Sequence, residues 1–365
     1  LETNPDIKER LRRIATFSTS RNPYEPVRRN LLSPFEEEKI SLTATGVEKM
    51  SGGDSIRPVI ARIYLSSRCA HNCSGCSFAY LQNRNGIFLN PSYFRKLVDD
   101  LYSMHIQLID LTGGGEPTLH PQFIEFVKMC REREFQLALL SNGTWDDLRL
   151  FDLLAEGFSF IRVSLDASSG EVYERFHRPS RGGEFQRMMN NLEKLISERE
   201  KRKSGLVIGA KVKLSQANMN YVEGMITLTK DLGLDYIQFH IKPCGGEALL
   251  PDQRRNVHEI LSELRNKHHP LLVYAGGEEE KSENWCWSSM AQLTIDASGN
   301  VYSCPHFPDQ MDAARLGNFF DLNINDLWLD YNLKCGFSSA NMGTCSVENC
   351  RWRFYDSVIR QRITQ

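Results

Sequence analysis

The chain has 365 residues, with 44 Lys and Arg against 46 Asp and Glu and a formal net charge of −2. That balance excludes the broad basic field that draws nucleic acid. No apolar run reaches the roughly 18 residues of a membrane span. The charged opening, Leu1-Glu-Thr-Asn-Pro-Asp-Ile-Lys-Glu-Arg, is unlike a signal peptide, and a start on Leu1 implies trimming or processing. Ten cysteines are too sparse for a disulfide scaffold, so those that occur in groups read as metal ligands in a reducing, cytoplasmic compartment. The length suits one (β/α) barrel with a smaller appendage.

Residues 1–57 read as an N-terminal helical flank, with a helix near Pro5–Phe17 and then Pro-bearing, charged segments. No set of strands is legible there. From 58 to about 243, strand and helix alternate. The expected strands cover 59–65, 106–112, 136–141, 159–165, 206–213 and 235–242, each rich in Ile, Leu or Val as strands covered on both faces should be. Between them, Asn90 and Pro91 open a helix with Phe94, Leu97, Val98 and Leu101 on one face. Pro121 opens another, with Phe123, Phe126, Val127 and Cys130 inward. The segment 184–200 aligns Phe185, Met188, Met189, Leu192, Leu195 and Ile196, and a later helix stops at Leu232-Gly233. Six βα units with right-handed crossovers predict an α/β fold, a partial (β/α)6 TIM-like barrel over 58–270. Function then belongs at the carboxyl ends of the strands.

The loop after the first strand reads Cys69-Ala-His-Asn-Cys73-Ser-Gly-Cys76, spaced C-x3-C-x2-C. Thiolates suit iron, and a cubane cluster needs four ligands. Three cysteines on one short loop hold three irons and leave the fourth open to a small molecule, whereas structural zinc wants four protein ligands. This spacing resembles the radical S-adenosylmethionine (SAM) superfamily, whose fold is the same six-unit partial barrel. The resemblance implies a 4Fe-4S cluster on Cys69, Cys73 and Cys76. It also implies SAM chelated at the open iron and cleaved to a 5′-deoxyadenosyl radical that abstracts hydrogen from an unactivated C–H bond. An electron donor such as flavodoxin or ferredoxin follows from the same resemblance.

The second strand ends Leu111-Thr-Gly-Gly-Gly-Glu-Pro-Thr118. Glycines allow close backbone approach, and a carboxylate beside them can accept from an ammonium group. This is similar to the family's Gly-Gly-Glu-Pro motif on Gly114, Gly115, Glu116 and Pro117, which implies contact with the amino group of SAM. The fourth strand ends Val163-Ser-Leu-Asp166, where Ser164 and Asp166 alternate with apolar neighbours and suit a ribose diol. The resemblance adds Asn142 after the third strand, Arg178 as a partner for the SAM carboxylate, and the backbone of Phe78 for adenine. Each has an ordinary alternative, in turn chemistry or a surface arginine. One departure from the family is Gly75, where an aromatic residue is usual; adenine packing then falls to Phe78 or Tyr80.

The sixth strand leads into Pro243-Cys-Gly-Gly-Glu247, which sets His240, Lys242, Cys244 and Glu247 near the mouth. A thiol at Cys244 can return a hydrogen atom to a substrate radical; the plain alternative is a loop cysteine. Beyond a helix over 251–268, residues 271–365 read as a small domain. In it Cys286 and Cys304 flank a hairpin whose turn lies at Asp296 to Asn300, and Cys345 and Cys350 precede a last helix. This pattern resembles a twitch- or SPASM-like auxiliary domain, which implies a second 4Fe-4S cluster on Cys286, Cys304, Cys345 and Cys350. Cys335 is a spare or a substitute, and structural zinc remains an alternative for the same thiolates.

The expected activity is that of a radical SAM oxidoreductase or epimerase. Its expected substrate is a small polar metabolite of sugar, aminocyclitol or nucleoside type, in natural-product biosynthesis, with Cys244 as the hydrogen donor if it epimerises. One alternative is modification of a ribosomal peptide, for which a leader-binding domain would be expected. A molybdopterin-precursor cyclase would carry a glycine-ended tail, unlike Arg360-Gln-Arg-Ile-Thr-Gln365. The non-enzymatic alternative is a zinc- or iron–sulfur-bearing structural or regulatory protein.

Overall fold

The computed structural model describes residues 58–74, 76, 78, 86–241, 248–267, 272–276, 292–304 and 315–335. These fall into two compact units interleaved along the chain. Strand β3 (Gln136–Ser141) begins in one and ends in the other.

The first unit is built on β1 (Ile60–Ile63) and β2 (Leu108–Leu111), which run parallel with Ile60 opposite Leu108 and Ile63 opposite Leu111. Every residue of both strands is buried, and all but two are apolar. The two are Arg62 and Asp110. They stand directly opposite each other and pair at 3.0 Å, so the cost of burying each charge is offset by its partner. Helix Phe94–Ser103 buries Phe94, Leu97, Val98 and Leu101, the stripe read from sequence. Asn90 caps a single 3-10 turn, Pro91–Tyr93, that leads into it. Helix Phe123–Glu132 buries Phe123, Phe126, Val127 and Cys130, and burial pushes the Cys130 thiol far up, so this cysteine is packing.

Two features of this unit were not legible in the sequence. Strand β8 (Gln292–Ile295) pairs parallel with β1, so the hairpin expected late in the chain closes onto the first strand. The hairpin itself forms as expected, with β9 (Asn300–Tyr302) antiparallel to β8 and β10 (Arg315–Asn318) antiparallel to β9. Its turn is organised by Asp296, whose carboxylate accepts from the N–H groups of Ser298 and Asn300, the Asn300 amide and the Tyr302 hydroxyl. Asp100 accepts from the Ile324 N–H and the Asn323 side chain, which anchors the start of helix Ile324–Cys335.

The second unit is a parallel sheet of β4 (Phe160–Ser164), β5 (Val207–Lys213), β6 (Tyr236–His240) and β7 (Leu272–Gly276). β7 is a further parallel strand beyond the six expected. Helix Glu184–Arg202 buries Met188, Met189, Leu192 and Leu195, while Phe185 and Ile196 sit half-buried at the stripe's margin. Arg199 on that helix pairs at 2.7 Å with Asp235, which also accepts from the Ile208 N–H. Strand alternation and register put Arg162, Ser164, Lys211, Gln238 and His240 on one sheet face, and Arg162 donates to Gln238 at 2.7 Å. The α/β class with a parallel core is therefore the one read from the sequence.

Candidate functional site

In the first unit the candidate residues hang from the carboxyl ends of β1 and β2. The chain leaves β1 through a turn in which the Ser66 hydroxyl accepts from the Arg68 N–H and donates to the Arg68 carbonyl. Cys69 follows, half-buried. The chain leaving β2 turns at Gly114, whose φ of +79° lies in the left-handed region. It then lies against the cysteine loop, and the Glu116 N–H donates to the Arg68 carbonyl at 2.8 Å. A Cβ at Gly115 would sit 2.1 Å from that same carbonyl oxygen, so only glycine permits the approach. Glu116 is buried, and its Oε1 accepts from the Thr118 N–H and hydroxyl. The carboxylate is thus fixed beside the glycine turn before any ligand arrives.

In the second unit the rest of the cysteine loop is laced to the end of helix Gly170–His177. The Asn72 N–H donates to the His177 and Arg178 carbonyls, the Ser74 N–H to Phe176, and the Ser180 N–H to Ala70. The carbonyls that a helix end leaves without intrahelical partners are used to hold this loop. The Cys73 sulfur lies 3.1 Å from His177 Nδ1, and the Phe78 N–H donates to the Cys76 sulfur at 3.4 Å. His177 Nε2 faces Asp166 Oδ2 at 3.3 Å, an electrostatic contact between side chains that are 2% and 5% exposed. Asp166 has a φ of 52° and accepts from the Lys213 N–H, while Asn218 donates to its carbonyl. His71 is buried against the Tyr173 and His177 rings. Burial, then the neighbouring charges of His177 and Arg181, lower its pKa to about 3, so it is neutral.

The other predicted residues are placed as follows. Asn142 is buried, and its side chain accepts from the Thr144 N–H and hydroxyl, the turn chemistry weighed as its alternative. Ser164 is half-buried at the end of β4. Arg178 is exposed and caps its helix in the left-handed conformation. Cys304 is half-buried just past β9. Cys244, Cys286, Cys345 and Cys350, with Tyr80, Lys242 and Glu247, lie outside the described residues. A groove of about 490 Å³ involves Met219, Glu223, Ile260 and Glu263, none of them a predicted site residue.

Sequence reasoning missed His177, although it quoted Arg175-Phe-His-Arg for the arginine that follows. The available signal was a histidine at the last position of a helix that begins just after a strand-end aspartate. The lysines of β5 were missed because alternation alone does not say which face of a buried strand is polar.

The donor set fits an iron–sulfur cluster. Cys69, Cys73 and Cys76 are all half-buried, and none is in a disulfide. An N–H donor lies on the Cys76 sulfur and an imidazole nitrogen lies 3.1 Å from the Cys73 sulfur, and a glycine turn leaves no room for a side chain beside the loop. Among the described residues no three Cys, His, Asp or Glu side chains form a ready metal-binding group, so the fit rests on the chemistry of the donors.

Residues 63–219 match the model of the Radical SAM superfamily. The chain is 24% identical over 272 residues to the antilisterial bacteriocin subtilosin biosynthesis protein AlbA of Bacillus subtilis (strain 168), covering 72% of this chain and 58% of AlbA. It is 24% identical over 285 residues to the tungsten-containing aldehyde ferredoxin oxidoreductase cofactor-modifying protein of Pyrococcus furiosus, covering 72% of this chain and 79% of that one. The fold is similar to that of Streptococcus suis SuiB bound to its precursor peptide SuiA, with a TM-score of 0.64 at 15% identity, over 90% of this chain and 77% of SuiB. The α/β fold with a parallel core and the cysteine loop are in keeping with the superfamily match over residues 63–219, a superfamily that works with a 4Fe-4S cluster and SAM.

Proposed function

We propose that this protein is a radical SAM enzyme that modifies a peptide, with Cys69, Cys73 and Cys76 as ligands of the SAM-binding cluster. A cluster held by these three thiolates would supply the electron for reductive cleavage of SAM. The chain's own residues do the rest. Glu116, fixed through Oε1, accepts from the ammonium group of SAM, and Gly114 and Gly115 let the backbone come close to it. The loop pinned by Asn72 and Ser74 holds Cys73 and Cys76 to the helix end. Ser164, on a polar sheet face with Lys211 and His240, belongs to the ligand side, with Asn142, Asp166 and Arg178 framing it.

The observation that carries the peptide reading is the company the domain keeps. The relative AlbA serves bacteriocin biosynthesis, and a protein of the same fold, SuiB, has been seen holding its precursor peptide. This reading displaces the small-metabolite oxidoreductase or epimerase expected from sequence, to which the polar strand ends had pointed. The expected role of Cys244 in returning hydrogen stays part of the proposal, for a peptide residue that is inverted. A second cluster on Cys286, Cys304, Cys345 and Cys350, in a twitch- or SPASM-like domain, stays part of the proposal. It would accept the electron that a peptide radical gives up, with loss of a proton, as the peptide is oxidised.

The test is anaerobic turnover with dithionite and SAM, reading 5′-deoxyadenosine against two sets of probes: cysteine-containing precursor peptides, and aminocyclitols with nucleosides. The expected result is a peptide product lacking two hydrogens, or one carrying a solvent deuteron at an inverted carbon. Turnover confined to the small molecules would overturn the peptide reading and leave the SAM chemistry standing.

A further inference from the structure

We propose that His177, held by Asp166, is the side-chain hydrogen-bond donor that sets the reduction equilibrium of the cluster through Cys73. The inference rests on the ligand set proposed above and concerns residues of one compact unit. His177 is 1% exposed and touches the cysteine loop twice: its carbonyl accepts from the Asn72 N–H at 3.1 Å, and its Nδ1 lies 3.1 Å from the Cys73 sulfur. Its ring cannot swing away. Tyr173 packs on it with centroids 4.2 Å apart, and Asp166 faces Nε2 at 3.3 Å. Asp166 is itself held by the Lys213 N–H and by Asn218.

The chemistry follows from the donor inventory. A protonated Cys73 can donate to Nδ1, but a sulfur bound to metal can only accept. Nδ1 must then be the donor, and Asp166 at Nε2 fixes the ring so that Nδ1 points at the sulfur. An N–H on a ligand thiolate stabilises the added negative charge when one electron enters the cluster, so it raises the reduction potential. Cys76 accepts from a main-chain N–H, that of Phe78. Cys73 receives a side chain, and this donor can be removed without cutting the loop.

The experiment is an anaerobic redox titration of the reconstituted full chain, following by electron paramagnetic resonance the signal that changes when SAM is added. The variants are His177→Phe, His177→Asn and His177→Gln. Asn places an amide near the Nδ1 position and keeps a donor to the sulfur; Gln reaches past it, and Phe has none. The expected result is that His177→Phe and His177→Gln make reduction about tenfold less favourable, about 59 mV for one electron, while His177→Asn stays near wild type. Equal potentials in all variants that retain the signal overturn the proposal. Should His177→Phe fail to load iron, the comparison of Asn with Gln decides: a difference supports the donor role, and identity removes it. A wild-type protein whose iron signal ignores SAM sinks the ligand set itself, which is a separate failure.

Discussion

Replacing Gly115 by alanine tests how closely the glycine turn is fitted to the cysteine loop. The new Cβ would lie 2.1 Å from the Arg68 oxygen, 2.5 Å from the Arg68 carbonyl carbon and 2.6 Å from the Ser67 carbonyl carbon. Ordinary contact begins near 3.4 Å, so the two segments must part by more than an ångström. All three obstructing atoms are backbone, so no rotamer change relieves them. Separation stretches the 2.8 Å bond from the Glu116 N–H to Arg68 and displaces the residue before Cys69. Overpacking of this kind costs about 1–3 kcal/mol, and a lost hydrogen bond adds about 1 kcal/mol. A total of about 3 kcal/mol corresponds to a fall in Tm on the order of 5–10 °C. Gly205→Ala is the control, since nothing lies within 4 Å of its Cβ position. The assay is a thermal melt of the metal-free protein, followed by iron content after anaerobic reconstitution. A Gly115→Ala protein that melts with the control and takes up iron like wild type would refute the reasoning.

Glu116→Gln should keep the fold, because its carbonyl oxygen still accepts from Thr118, but weaken SAM binding about 10- to 100-fold through loss of a charge-assisted bond. Calorimetric titration with SAM measures this, and an unchanged Kd would count against the carboxylate's role. His120 is buried, and desolvation lowers its pKa from 6.5 despite its bond to the Leu89 carbonyl. The unfolded chain then takes up a proton near pH 6.5 that the folded chain resists, so stability falls as pH drops below that value. Urea midpoints at pH 7.5 and 5.5 should therefore differ less in His120→Gln than in wild type, and an unaltered difference would exclude this residue as a source. Asp296→Ala removes the acceptor of four hydrogen bonds at the hairpin turn. It should cost about 2–4 kcal/mol, read by chemical denaturation, and a loss under about 0.5 kcal/mol would show the turn to be held otherwise.

Local patterns carried far. Strand β3 spans Gln136–Ser141, the same bounds that its apolar run predicted. The inward faces of helices Phe94–Ser103 and Phe123–Glu132 followed from a period of 3.6 residues. The cysteine spacing and the glycine–glutamate turn named the chemistry because both motifs are contiguous in the chain and each follows a strand. Pairings between distant segments left no such trace. Nothing in Gln292–Ile295 says that it lies beside Ile60–Ile63, and nothing in Leu272–Gly276 marks it as a further parallel strand.

The amino-acid sequence by itself determined the α/β class and the cofactor chemistry, because residue type and short-range spacing suffice for those. Only the tertiary structure decided that Gly115 must lack a side chain, that Asn142 is tied up in its own turn, and that His177 and Asp166 back the Cys73 sulfur. The physical reason is range. His177 lies 104 residues from Cys73, and a hydrogen bond acts over about 3 Å, so only folding could bring the two into contact.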